Sequence, residues 1–279
     1  KEGRTILFEA VHSATDALPR WVASLGVPLN AKSADGRCAL HETATNGCLE
    51  TLQFMLAQGA EVNVPDENKI TPLHLASERG NVMNVKLVVE KGADMRAADA
   101  ENRLPIHYAA ARGHWGPCQL FILQGVDVNA VDGKQNTPLH LAADGGQQRT
   151  VRLLLGRGAN VLLKNADGDT ALAISERNTL QGRGAIGLTP VQAGLQQGHE
   201  ATLVLLRAVV IDEIAQAVER IDAASLTQML DSFPQFVNAR WMGLTPLHRA
   251  SGKGVPELVE ILLARGADAC AADDTFDGS

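Results

Sequence analysis

The chain repeats itself, and the interval is fixed. Thr71-Pro72-Leu73-His74 recurs as Thr137-Pro138-Leu139-His140 and as Thr245-Pro246-Leu247-His248. Weaker copies lie between them: aligned starts fall at Thr5, Cys38, Thr71, Leu104, Thr137 and Thr170, each 33 residues after the last, and the same interval separates Asp212 from Thr245. Such a period is the signature of a row of similar supersecondary units.

Each start carries its own local logic. A Thr before Pro reads as a helix N-cap followed by the first helical residue, because the hydroxyl can accept an orphan backbone N–H and Pro has none to leave unsatisfied. About nine residues on, Gly47, Gly80, Gly113, Gly146 and Gly254 mark where that short helix stops, since Gly accepts the left-handed conformation cheaply. A second apolar helix follows, as in Val85 to Glu90 or Val151 to Gly156, and ends at Gly59, Gly92, Gly125, Gly158 or Gly266. Asp- and Asn-rich connections such as Val126-Asp127-Val128-Asn129 then suit a projecting turn.

Composition narrows the function classes. The 279 residues are 45% hydrophobic but only 4% aromatic, so the core is built from Ala, Leu, Val and Ile on thin, closely approaching helices. A net charge of -7 argues against a nucleic-acid partner, whose phosphates demand many cations. Four cysteines, Cys38, Cys48, Cys118 and Cys270, form no CxxC pair and no dense framework, which suits a reducing, intracellular setting, expected to be the cytoplasm, without disulfide staples. No apolar run is long enough to insert in a membrane.

In this order and at this period, Thr-Pro-Leu-His, the mid-unit Gly, the paired aliphatics and Gly-Ala-Asp-Val-Asn-Ala resemble the ankyrin-repeat family over nearly the whole chain. The resemblance implies an all-α repeat solenoid of about eight units, each a helix-turn-helix with a short β-hairpin finger, stacked so that none folds alone. Residues 1–279 then form a single ankyrin-repeat domain, with regular units over 5–169, a degenerate unit over 170–211 and C-terminal units over 212–279. The degenerate unit carries the Gly-rich stretch 179–188, expected to be mobile. A second good start, Thr189-Pro190-Val191-Gln192, leaves open whether its first helix is 170–178 or 189–197. The chain opens within a finger and stops where a ninth start would fall, so a segment of a longer protein is the simplest inference.

Candidate chemistry yields to structural readings. His41, His74, His107, His140 and His248 share one motif position, which in ankyrin repeats serves hydrogen bonding between units, and His114 and His199 both open second helices. A translational repeat keeps equivalent histidines a unit apart, so no metal site is expected. Gly182-Arg183-Gly184-Ala185-Ile186-Gly187 matches a dinucleotide fingerprint formally, but no strand flanks it and no cofactor is expected. The reading is non-catalytic.

What remains is a surface. The resemblance implies partner contacts from finger residues and the ends of first helices, on the concave side. The candidates are Arg37, Ile70, Arg79, Arg103, Tyr108, Arg112, Lys134 and Leu141, with Arg79, Arg103 and Arg112 as an electrostatic centre. The cations form a basic track suited to a protein or peptide partner with acidic groups, unless Glu67, Glu101 and Asp144 make the face an ordinary solvated one. Trp241 and Met242 are candidate interface anchors, or else pack on Phe233-Pro234-Gln235-Phe236. The expected function is therefore a protein–protein interaction module, with a monomer favoured. The alternative is a regulatory or substrate-recruiting domain of a larger multidomain enzyme or effector.

Overall fold

The computed structural model describes Leu7, Ala10 and residues 26–46, 49–182 and 190–272. Among them lie thirteen helices: α1 (Ala39–Asn46), α2 (Leu49–Ala57), α3 (Pro72–Arg79), α4 (Val82–Glu90), α5 (Pro105–Ala111), α6 (Trp115–Leu123), α7 (Pro138–Asp144), α8 (Gln148–Leu155), α9 (Ala171–Gly182), α10 (Pro190–Glu219), α11 (Ala223–Ser232), α12 (Pro246–Lys253) and α13 (Pro256–Ala264). A 3-10 turn at Pro234–Phe236 joins α11 to the last pair. None of these helices is long and apolar enough to cross a membrane. The residues fall into two compact units, 1–202 and 203–279.

In the first unit the first helices α1, α3, α5, α7 and α9 stack in a row, and the second helices α2, α4, α6 and α8 form a row behind them. Small residues let the rows approach: Ala76, Ala109, Ala110, Ala142 and Ala143 are wholly buried among Leu73, Ile106, Leu139, Val85, Phe121, Val151 and Leu154. Glycines end the short helices where the sequence reading put them. Gly80 adopts φ 74°, Gly113 78° and Gly146 63°, while Gly47 lies outside the described residues.

The motif histidine binds one repeat to the next. His74 Nδ1 accepts the Thr71 backbone N–H at 3.1 Å, and its Nε2 lies 3.0 Å from the Arg103 carbonyl in the next repeat. An N–H can only donate, so Nδ1 is bare and Nε2 carries the proton that reaches the carbonyl. His41 does the same between Cys38 N–H and the Ile70 carbonyl, and His140 between Thr137 N–H and the Asp169 carbonyl. His107 accepts the Leu104 N–H and donates instead to the Ala130 carbonyl. The ring thus takes the part that Glu or Gln plays in an ordinary capping box, covering the N-cap N–H from the third helical position. The Thr hydroxyl behaves as expected at Thr137 and Thr245, where it accepts the N–H of His140 and His248, each at 3.4 Å.

Fingers are turns nucleated by one carboxylate or amide. Asp66 Oδ1 accepts the N–H groups of Asn68 and Ile70, and Asp99, Asp132 and Asn165 repeat the pattern one period apart. Successive fingers are tied by backbone bonds: Glu67 N–H to Asp35 O, Ala100 to Asn68, Gly133 to Glu101 and Ala166 to Lys134.

The broken period is resolved by position. His114 seats against Gly80, Gln147 against Gly113, and His199 against Gly146. His199 therefore stands one repeat and a further 19 residues beyond Gln147. The first helix of the degenerate unit is α9, stacked on α7, and the extra residues lie between its first and second helices. The start at Thr189-Pro190 instead opens α10, which runs through Gly198-His199 without a stop and continues to Glu219. Where the sequence reading ends one unit at 211 and begins another at 212, a single 30-residue helix runs across, because no turn residues intervene near Val209-Val210 where a finger belongs. Of the stretch 179–188, residues 179–182 belong to α9, and the rest of the expectation of mobility falls on 183–188, outside the described residues.

In the second unit, buried Leu206, Val210, Ile214 and Val218 of α10 form the core with Leu226, Leu230, Leu258 and Leu262. Helix α13 packs on both α11 and α12.

Two outcomes follow. A Cβ on Gly80 would come within 2.2 Å of the His114 ring, whereas at Gly59, φ 88°, nothing lies within 4 Å. Gly59→Ala should cost about 1 kcal/mol for backbone strain alone, and Gly80→Ala roughly 1–3 kcal/mol more for the displaced ring; urea unfolding measures both. Burial holds His41, His74, His107 and His140 below the ordinary imidazole value of 6.5. The unfolded chain therefore takes up protons first, so their contribution to stability is complete above about pH 6.5 and is lost as pH falls below it. The urea midpoint should decline from about pH 7 to about pH 5, before the carboxylates titrate; a flat midpoint over that range would contradict the buried neutral rings.

Candidate partner-binding groove

Fingers and first helices of neighbouring repeats leave two adjoining depressions in the first unit. The larger, about 680 Å3, is lined by Arg37, Glu42, Thr45, Leu75, Glu78, Arg79, Arg112 and His114. The smaller, about 300 Å3, is lined by Glu78, Glu101, Arg103, His107, Tyr108, Ala111, Arg112, Asp132, Lys134, Asn136 and Leu141. Glu78 and Arg112 belong to both and make one continuous groove. Of the candidates read from the sequence, Arg37, Arg79, Arg103, Tyr108, Arg112, Lys134 and Leu141 are brought together here. Ile70 lines neither depression; its carbonyl receives the His41 bond.

The cations are not equivalent. Arg103 Nε bonds the buried Asp99 carboxylate at 2.8 Å, its guanidinium lies over the Tyr108 ring at 4.9 Å, and Tyr108 donates its hydroxyl to the same carboxylate at 2.7 Å. Burial, reinforced by that hydrogen bond to Asp99, holds the Tyr108 phenol well above its ordinary value. Burial alone would raise Asp99, but the bonds from Tyr108 and Arg103 outweigh it and leave the carboxyl below its ordinary value. Arg37 is shared between Asp66, Asp35 and Glu42, and Arg112 makes a 2.7 Å pair with Glu78. Arg79 and Lys134 make no ion pair among the described residues. The electrostatic centre expected at Arg79, Arg103 and Arg112 is thus one unpaired cation beside two that carboxylates already hold.

Asp99 and Asp132 are not among the candidates read from the sequence. The signal was present: an acidic or amide residue sits four positions before Ile70, Arg103, Asn136 and Asp169 in successive fingers. Both oxygens are used at Asp99, one to close the turn and the other to hold Arg103.

The second unit settles the geometry of Trp241 and Met242. Trp241 and Leu244 exchange two backbone hydrogen bonds, and Met242 and Gly243 between them both take positive φ, as the tightest hairpin turns require. Trp241 lies beneath the Arg249 guanidinium at 4.2 Å, and Arg249 also donates to the Trp241 carbonyl and to Glu219. Met242, at the turn tip, is 77% exposed. The aromatic is packed within its own unit and the thioether is presented to solvent.

No curated protein sequence matches the chain. A family model described as ankyrin repeats in three copies matches residues 40–132 and 106–208, and the single ankyrin-repeat model matches 242–274. Between the two matched regions lie residues 209–241, where α10 passes on without a finger. With the models covering most of the chain and the histidine clamps, fingers and paired helices recurring at their period, the chain belongs to the ankyrin-repeat family.

Proposed function

We propose that the chain is a non-catalytic interaction module that holds an extended segment of a partner protein in the groove of its first unit. Ankyrin repeats generally serve as protein–protein interaction modules. The observation that carries this reading is the continuous groove itself, in which half-buried Tyr108 and Leu141 offer apolar contact between charged walls. Its polar side chains are held in place by the fold rather than by one another's chance approach: Asp99 fixes Arg103, and Asp132 is fixed by the turn it closes. Preorganised groups lose less entropy on binding. Arg79 and Lys134, the cations without a carboxylate partner among the described residues, favour a segment carrying acidic groups. The described cysteines, Cys38, Cys118 and Cys270, are free thiols, in keeping with a reducing, intracellular setting.

Peptides selected against the whole chain from a random display library supply the test. Leu141→Asp with Lys134→Glu should weaken the selected peptides by at least about tenfold, while Met242→Asp changes affinity by less than about twofold. Melting temperatures should fall by no more than about 5 °C, since Lys134 is exposed and Leu141 only half-buried. Selected peptides that ignore the groove pair but lose binding with Met242→Asp would move the binding surface to the second unit and overturn the reading.

A further inference from the structure

We propose that the larger depression is a seat for a phosphorylated side chain of the partner, with Glu78 as its built-in competitor. The inference rests on the groove reading and assigns the chemistry of one residue in the bound segment. Three guanidinium groups, Arg37, Arg79 and Arg112, line this depression against two carboxylates, Glu42 and Glu78. Arg37 is held from below by the buried Asp66, which fixes its position and takes up part of its charge. Arg112 is held by Glu78 through both Nε, at 3.3 Å, and a terminal nitrogen, at 2.7 Å. The exposed Arg79 has no ion pair among the described residues.

Charge arithmetic then selects the ligand. A partner carboxylate that displaced Glu78 from Arg112 would exchange one carboxylate for another and gain little. A phosphoryl group brings nearly two charges and three acceptor oxygens, so it can engage Arg112 and Arg79 together and still leave Glu78 free to turn to solvent. Arginine suits this task because its planar fork binds such oxygens in pairs. The Glu78–Arg112 pair is solvent-exposed, and pairs of that kind are weak enough to yield.

The experiment compares three degenerate peptide libraries, identical except for a fixed central phosphoserine, serine or aspartate, by fluorescence anisotropy against the full chain. The phosphoserine library should bind at least about tenfold tighter than either counterpart. Arg79→Gln should remove most of that preference. Glu78→Gln should strengthen phosphoserine binding and admit the aspartate library, whereas Glu67→Gln, an equal change of charge on an exposed finger outside the depression, should leave the ratio within about twofold. Equal affinity for phosphoserine and serine, or a preference untouched by Arg79→Gln, overturns the seat. If serine peptides bind and are lost with Leu141→Asp while phosphate adds nothing, the seat fails and the groove stands; if no library binds, both fail.

Discussion

At His74 one ring nitrogen accepts the N–H that begins its own helix, and the other donates to a carbonyl 29 residues ahead in the next finger. The first bond is buried and the second part-buried, and leaving a buried backbone group unpaired would cost about 1–3 kcal/mol. The same double commitment at His41, His107 and His140 fixes how far each first helix stands from the finger beyond it. The groove is lined by those two elements, so its width is set by the imidazoles beneath it. His107 lies in the floor of the smaller depression while holding the Ala130 carbonyl.

The same constraint explains where the repeat tolerates interruption. The added residues before His199 lengthen the connection between first and second helices, a link used neither by the histidine clamp nor by the fingers. Thus Asp169 still closes the clamp from His140, Asn178 still reaches the Asp144 carbonyl, and Ala166 still pairs with Lys134 in the preceding finger. Loss of a finger is a different matter. Without one after Val210, the backbone has no partner chain to turn toward, and α10 simply continues as helix. The family models leave this stretch unmatched.

Much of this was legible in the sequence because the repeat multiplies weak signals. Thr-Pro at a helix start or Gly at its end is ambiguous once, but not when it recurs at a constant interval. Which positions line the groove came from the family resemblance carried along by register, which brought most of the candidates together but not Ile70. Their electrostatic state did not. Whether Arg103 faces a partner or its own finger depends on Asp99 and Tyr108 lying within hydrogen-bond reach, a fact of side-chain direction that spacing does not carry. The degenerate unit was ambiguous for a related reason: Thr170 and Thr189 both make good helix starts, and only the seat of His199 against Gly146 decides between them. The place of the Trp241 ring beneath the Arg249 guanidinium is likewise a fact of side-chain direction that spacing does not carry.

The central claim, that one imidazole nitrogen caps its own helix while the other clamps the next repeat, is tested most directly by long-range 15N–1H NMR of the histidine rings at neutral pH. The account predicts the same tautomer for His41, His74, His107 and His140, with Nδ1 bare, Nε2 protonated and the Nε2 proton slow to exchange with water. Protonation at Nδ1, or rapid averaging of the two tautomers at these four rings, would contradict it.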